Sequence, residues 1–277
     1  MGRVYCSADW HGNKTAFQVF DFLQPDDVLY FLGDSTDRGK YGIELFTLLM
    51  NDPRVIMIKG NHDEFLEDGI KAINYDEAEC EGLPQPGDRP RFDSSLWVYN
   101  GGEFTYDKVW QLTREERFAI LKCIKEMPLQ QTYYSEKSGN NIILEHAGYS
   151  PFVPPHRPHD PLWDRNHFYD AWNEGWAVKG RNPDKTYIVH GHTPVQYLKY
   201  MYGYKGQEPL TKEEMIEKRQ FMQEIVMDGE DIIKPTIIRY CDGHKFCIDL
   251  CTIVSNRIAL LDLDTFEEIY FDRKEEK

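Results

Sequence analysis

Three times within the first seventy residues, an apolar run of strand length ends in a small polar turn and gives way to a helix-period stretch. Arg3-Val-Tyr-Cys6 leads into Ser7-Ala-Asp-Trp-His-Gly12 and a helix expected over 15–23. Val28-Leu-Tyr-Phe-Leu32 leads into Gly33-Asp-Ser-Thr-Asp-Arg-Gly39 and a helix over 43–50. Val55-Ile-Met-Ile58 leads into Lys59-Gly-Asn-His-Asp63 and a helix over 64–70. Successive strand–loop–helix units predict an α/β fold with parallel strands. In such sheets ligands bind beyond the carboxyl ends of the strands, where these three turns would converge.

Farther along, residues 73–112 are rich in Gly, Pro and Asp and read as irregular. A helix is expected over 113–127, its start marked by Thr113 and Glu116 at capping-box spacing. Two further strands, over 141–144 and 186–189, run into His146-Ala-Gly148 and His190-Gly-His-Thr193. Residues 200–232 turn polar and charged, with an amphipathic helix predicted over 211–227, and read as an insertion or lid. The tail over 236–271 alternates around turn residues and suggests antiparallel strands joining a second sheet. Residues 1–277 are read as one domain carrying that insertion.

Charge narrows the function. With 32 basic and 47 acidic residues the net charge is 32 − 47 = −15. Nucleic-acid binding needs a basic face, and so does attraction to an anionic membrane, so neither partner is expected. The start of the chain lacks the pattern of a secretory signal and no apolar run is long enough to span a bilayer, so a cytoplasmic enzyme is expected. The six cysteines form no C-x-x-C pair, and Cys241, Cys247 and Cys251 with His244 have the wrong spacing for zinc. They read as reduced core residues.

Asp9, His11, Asp34, Asn61, His146 and His192 each follow an expected strand in a turn containing glycine. Divalent ions accept this mixture of carboxylate, imidazole and amide donors. A two-metal site also needs a bridging ligand, and Asp34, on the central of the three units, is placed for it. The pattern resembles the PPP family of serine/threonine phosphatases within the calcineurin-like metallophosphoesterases. Residues 33–39 match G-D-x-x-D-R-G, residues 60–62 match G-N-H and residues 9–12 match D-x-H-G. His146-Ala-Gly and Gly191-His-Thr complete five matches in order, with weaker ones at Asn100-Gly-Gly102, Trp163-Asp-Arg165 and Ile248-Asp-Leu.

The resemblance implies two mixed β-sheets packed as a sandwich and flanked by helices. It implies that Asp9, His11 and Asp34 hold one metal, and that Asp34, Asn61, His146 and His192 hold the other. Manganese is the first expectation, with iron or zinc as alternatives. Arg38 and Arg165 would grip phosphate oxygens, and His62, oriented by Asp37, would protonate the leaving group. The expected substrates are phosphoserine or phosphothreonine in proteins, attacked by water activated between the metals. Ala8, Asp63 and Ala147 depart from the family pattern. Gly-Asn-His-Asp and His-Ala-Gly also occur in diadenosine tetraphosphatases, which makes dinucleoside polyphosphates or other small phosphorylated metabolites the alternative substrates. A binding protein that has lost its chemistry is the third reading, and retention of all six ligands speaks against it.

Several side chains keep two readings. His190 is either a third imidazole near the metals or a satisfied strand histidine. Arg165 is either a phosphate ligand or a surface partner of Asp160 or Asp164. His156, His159 and His167 lie in a proline-rich loop and are expected to be solvated, with one of them lining the cleft as the alternative. Tyr200, Tyr202 and Tyr204 read as one face of a strand.

Overall fold

The computed structural model describes residues 2–83, 90, 92–148, 159–165, 168, 185–197, 234–241 and 243–274. The three amino-terminal units form as read. Strands β1 (Val4–Ser7), β2 (Val28–Phe31) and β3 (Val55–Met57) pair in parallel in that order. After β1 comes a 3₁₀ turn, Lys14–Ala16, then α1, Phe17–Phe22. Helix α2, Gly42–Asn51, follows β2, and α3, Asn61–Cys80, follows β3. The helical unit expected over 64–70 is thus far longer, because Leu66, Ile70 and Ile73 continue a buried stripe at helical spacing.

The irregular stretch expected over 73–112 is likewise corrected. Besides the end of α3 it contains α4, Ser94–Tyr99, and α5, Glu103–Gln111. Asp93 starts α4 by accepting hydrogen bonds from the Ser95 and Leu96 amides. The glycines of Asn100-Gly-Gly102 occupy the turn between the two helices, where Gly101 has φ +94°. Helix α6, Arg114–Glu126, begins with the expected capping box. Thr113 Oγ1 accepts from the Glu116 amide at 3.2 Å, and Glu116 Oε2 accepts from the Thr113 amide at 2.8 Å.

A second sheet is built from β4 (Gln130–Ser135), β5 (Asn140–Glu145), β6 (Thr186–His190), β7 (Ile238–Tyr240) and β8 (Lys245–Cys247). Its order is β4-β5-β6-β8-β7, with β5, β6 and β8 parallel and both edge strands antiparallel. The tail therefore divides in a way the sequence reading did not expect. After a one-turn helix α7, Thr252–Ser255, strands β9 (Arg257–Asp262) and β10 (Glu268–Asp272) join the first sheet, in the order β10-β9-β1-β2-β3. The reason lies in β9 itself. Ile258 and Leu260 face one core while Ala259 and Leu261 face the other, and a strand apolar on both faces belongs inside a sheet.

The first sheet obeys that period-two rule throughout. Tyr5, Leu29, Phe31 and Met57 point to a core shared with α1 to α6. Cys6, Leu32 and Ile58 point to a second core that they share with Ile142, Leu144, Val189 and Phe246 of the other sheet. Two mixed sheets packed face to face, with helices on the outside, are the result. No helix among the described residues is long and apolar enough to cross a membrane. The predicted insertion over 200–232, the tyrosine stripe, His156 and His167 lie outside the described residues.

Helix α6 fixes one of the site-bearing turns from behind, because the Pro128 carbonyl just past its end accepts from the Lys59 amide at 3.0 Å. Thr113→Ala removes the cap on this helix. It should lower unfolding free energy by about 1 kcal/mol, read from the urea midpoint, with the metal content of the purified protein unchanged.

Candidate functional site

The parallel strands of both sheets end at one edge, and the turns beyond them interlock. The Asp9, His11 and Gly12 amides after β1 donate to the carbonyls of Gly33, Asp34 and Ser35 after β2, at 3.1, 3.0 and 2.8 Å. To reach this geometry Asp9, His11, Asp34, Asp37, Arg38 and His192 adopt positive φ, between 43° and 69°. Such a backbone costs about 1–3 kcal/mol per residue and persists only where its surroundings hold it.

Asp34 is the centre of the arrangement. Its Oδ2 lies 3.4 Å from His146 Nε2 and 3.9 Å from Nε2 of both His11 and His62. Its Oδ1 accepts from the His62 amide at 2.9 Å. Asp9 accepts from the His192 amide at 3.1 and 3.2 Å and lies 3.9 Å from His11 Nε2. Asn61 Oδ1 is 2.9 Å from both His146 Nε2 and His192 Nδ1. All six expected ligands are therefore in one buried cluster. Among the His, Cys, Asp and Glu side chains of the described residues, two groups have ligand atoms within 4.8 Å of one another, His11 with Asp34 and His62, and Asp9 with Asp34 and His146. This grouping cuts across the expected division of ligands, but Asp34 belongs to both groups, as a bridging carboxylate must.

The donor set suits divalent cations on its own evidence. His11 Nδ1 lies 3.0 Å from the Thr36 carbonyl and His146 Nδ1 lies 2.6 Å from the Leu32 carbonyl. A carbonyl only accepts, so both rings carry a proton on Nδ1 and turn Nε2 towards Asp34. His146 Nε2 then faces Asn61 Oδ1, an arrangement that needs a proton or a cation between the two atoms. Burial opposes a charge on His146, yet Asp34 and Asp9 outweigh it and lift its pKa to about 10. Burial, with Asp249 and Asp34 nearby, pushes the Asp9 carboxyl well above the usual range. His192 Nε2 is buried without a hydrogen-bond partner. The buried Asp9 carboxyl, which calls for positive charge, and the unpartnered Nε2 of His192 form a cradle for cations.

Beside this cluster stand the groups expected to meet substrate. His62 Nδ1 is 2.6 Å from Asp37 Oδ2, and His62 Nε2 is 3.2 Å from Arg38 Nη2. Arg165 donates from Nε to Thr193 Oγ1 at 3.1 Å, next to His192, rather than serving as a partner for Asp160 or Asp164. Trp163 sets its ring edge-on to His192, with centroids 5.9 Å apart. His190 points away: its Nε2 meets the Tyr240 hydroxyl at 2.7 Å, and burial, helped by Lys245, lowers its pKa to about 3. His159, expected to be solvated, instead lies half-buried with Nε2 2.6 Å from Glu145 Oε1 and Nδ1 3.3 Å from Asp164 Oδ2. It ties the Trp163-Asp-Arg165 turn to the end of β5.

Three residues bear on this site to which the sequence reading gave no role, although it quoted Ile248-Asp-Leu as a weaker family match. Trp97 Nε1 donates to Asp37 Oδ2 at 2.8 Å, and Thr105 Oγ1 accepts from the Asp37 amide at 2.9 Å. Asp249 is buried after β8, where burial raises its pKa to about 6 and its charge presses on Asp9. Asp249 carries the same strand-end signal as the six ligands, hidden because β8 was read as antiparallel.

Known proteins resemble this chain in sequence and in fold. Over 151 residues the chain is 30% identical to serine/threonine-protein phosphatase 2 of Salmonella typhimurium, covering 53% of this chain and 59% of that protein. The chain thus spans about three fifths of that curated relative's length. A solved structure of a candidate diadenosine tetraphosphatase superposes with TM-score 0.51 at 14% identity, covering 97% of this chain and 92% of that one. A serine/threonine phosphatase from Saccharomyces cerevisiae superposes with TM-score 0.51 at 12% identity, covering 100% and 81%. At such identities the two superpositions carry the fold alone. The model of the calcineurin-like phosphoesterases matches residues 2–217, most of the sequence, and the chain belongs to that family.

Proposed function

We propose that this chain hydrolyses phosphate monoesters, those of phosphoserine and phosphothreonine in proteins first among them. Asp9, His11, Asp34, Asn61, His146 and His192 would hold two divalent metal ions, with Asp34 shared. The observation that carries this reading is the Asp34 carboxylate, buried and approached by His11, His62 and His146 from three different strand ends. When bound, such ions polarise the phosphoryl group and acidify a water from a pKa of ~15.7 towards ~7.

The remaining chemistry falls to the chain itself. Arg38 stands beside His62 and Arg165 beside Thr193 and His192. Both stay charged, and a guanidinium fork matches two phosphoryl oxygens at once. His62 presents Nε2 next to Arg38, where it can deliver a proton to the departing oxygen, while Asp37 holds the opposite nitrogen.

The Asp37-Arg-Gly39 run and Trp163-Asp-Arg165 favour phosphoproteins, in line with the similarity to a bacterial serine/threonine phosphatase. The second reading, dinucleoside polyphosphates, rests on Asp63 and His146-Ala-Gly. Asp63 bears weakly on the choice, because its Oδ2 accepts from the Gly60 amide at 2.8 Å and faces into the turn. A side-by-side panel of phosphopeptide, aryl phosphate and diadenosine tetraphosphate with manganese separates the two. Preference for diadenosine tetraphosphate would overturn the first reading.

Metal dependence is the first expectation. Chelation should abolish hydrolysis and manganese should restore it. Asp34→Asn should lower bound metal, measured by elemental analysis, together with rate. Full activity in a verified metal-free sample would sink the mechanism. The leaving group gives a second test. His62→Asn should slow phosphoserine-peptide hydrolysis by ~10²–10⁴ and affect nitrophenyl phosphate much less, since nitrophenolate departs without a proton. Equal losses would instead assign His62 to placing the phosphate.

A further inference from the structure

Asp37 cannot hold itself in place. Its side chain is buried, its Oδ1 has no hydrogen-bond partner, and its whole orientation rests on Oδ2. Two groups meet that oxygen, His62 Nδ1 at 2.6 Å and Trp97 Nε1 at 2.8 Å. An indole nitrogen is a donor and never an acceptor. Trp97 therefore keeps Asp37 Oδ2 an acceptor, which leaves His62 Nδ1 as the donor and Nε2, which accepts from Arg38 Nη2 at 3.2 Å, as the nitrogen that faces the site.

The indole is placed with little freedom. A Cβ on Gly69 of α3 would stand 2.3 Å from its six-membered ring, and a Cβ on Gly102 would stand 2.4 and 2.5 Å from Cδ1 and Nε1. Two glycines thus form a slot for one ring, and Gly69 is retained in mid-helix despite its poor helix propensity. The same α4–α5 pair grips the backbone on either side of the carboxylate. Thr105 Oγ1 accepts from the Asp37 amide at 2.9 Å, and the Gly101 carbonyl accepts from the Arg38 amide at 2.6 Å. These are the residues with φ of 69° and 62°, so the grip falls on the strained positions.

We propose that Trp97 is a positioning residue for the Asp37–His62 pair, with Thr105 and Gly101 holding the backbone of that turn. The proposal rests on the reading of His62 as the general acid. It differs from a simple core role in what it makes Trp97 responsible for: the proton on the leaving group, and not the binding of metals or phosphate.

The test replaces the N–H while keeping the shape. β-(3-Benzothienyl)alanine at position 97, introduced by site-directed suppression, substitutes sulfur for the N–H in an otherwise similar bicycle. Thr105→Val, close to isosteric, is the second variant, and His62→Asn is the reference. In the manganese-loaded protein both variants should slow phosphoserine-peptide hydrolysis about tenfold and leave nitrophenyl phosphate within about twofold, KM being little changed. In the metal-free protein the low-field Nδ1–H proton resonance, identified by its loss in His62→Asn, should move upfield or broaden in the position-97 variant. Equal losses on the two substrates at position 97, or an unmoved resonance, would overturn the positioning role while leaving the acid pair intact. Absence of substrate selectivity in His62→Asn itself would remove the acid pair, and the role of Trp97 with it.

Discussion

The structure depends on two carboxylates, Asp9 and Asp34, that are buried side by side at the junction of two sheets. An isolated buried carboxylate is untenable unless positive charge and hydrogen bonds reach it. Burial opposes the ionisation of Asp34, and the charges on His146 and His62 overcome it and hold the carboxyl well below its usual range. Asp9 shows the opposite response, because Asp249 and Asp34 add negative charge beside it. One carboxylate is satisfied by the imidazoles and the other is not. Cations shared between them answer both demands at once.

That demand explains why the turns are strained. After β1, β2 and β6 the chain reverses direction within a few residues of the strand through the left-handed backbone of Asp9, His11, Asp34 and His192, whereas the turn after β3 enters α3 through Gly60 at φ −103°. Asp and His are among the few non-glycine residues that enter this region readily, so ligand chemistry and turn geometry ask for the same residue types. The close packing of the turns leaves no slack. A Cβ on Gly191 would stand 1.9 Å from Asp9 Oδ2, and one on Gly60 would stand 2.2 Å from Asp34 Oδ1. Glycine is needed where the backbone presses on the carboxylates.

How much was legible follows from where each residue sits. Asp9, Asp34 and Asn61 were readable because each follows a short apolar run that can only be a strand, and their gathering needed no more than parallel pairing. The Thr113–Glu116 cap was readable because both partners lie within one turn. Trp97 was not. Its partner Asp37 is 60 residues away, and an aromatic within a helix reads as core whether or not its N–H has a task. Asp249 was seen only as part of the weak match Ile248-Asp-Leu and given no role, since the direction of β8 is set by a pairing with β6 that no local pattern encodes. The placement of β9 between β10 and β1 belongs to the same class of long-range decisions.

The overall charge raises a last question, because a chain of net −15 must admit a phosphate carrying up to two negative charges. At physiological ionic strength the Debye length is about 8 Å, so surface carboxylates farther than that from the cleft are largely screened. Within the cluster Asp9, Asp34, Asp37 and Asp249 are buried and spend their field on imidazoles, an indole N–H and backbone amides, while the partly exposed Glu64 accepts from Trp163 Nε1 at 3.4 Å. Arg38 and Arg165 add positive charge beside His62 and Thr193. Long-range attraction then contributes little to encounter, and recognition falls to contacts within a few ångströms of the phosphate. Selectivity among phosphorylated substrates must consequently come from the walls of the cleft, among which the half-exposed Trp163 ring, braced by Phe65 and His192, stands beside Arg165.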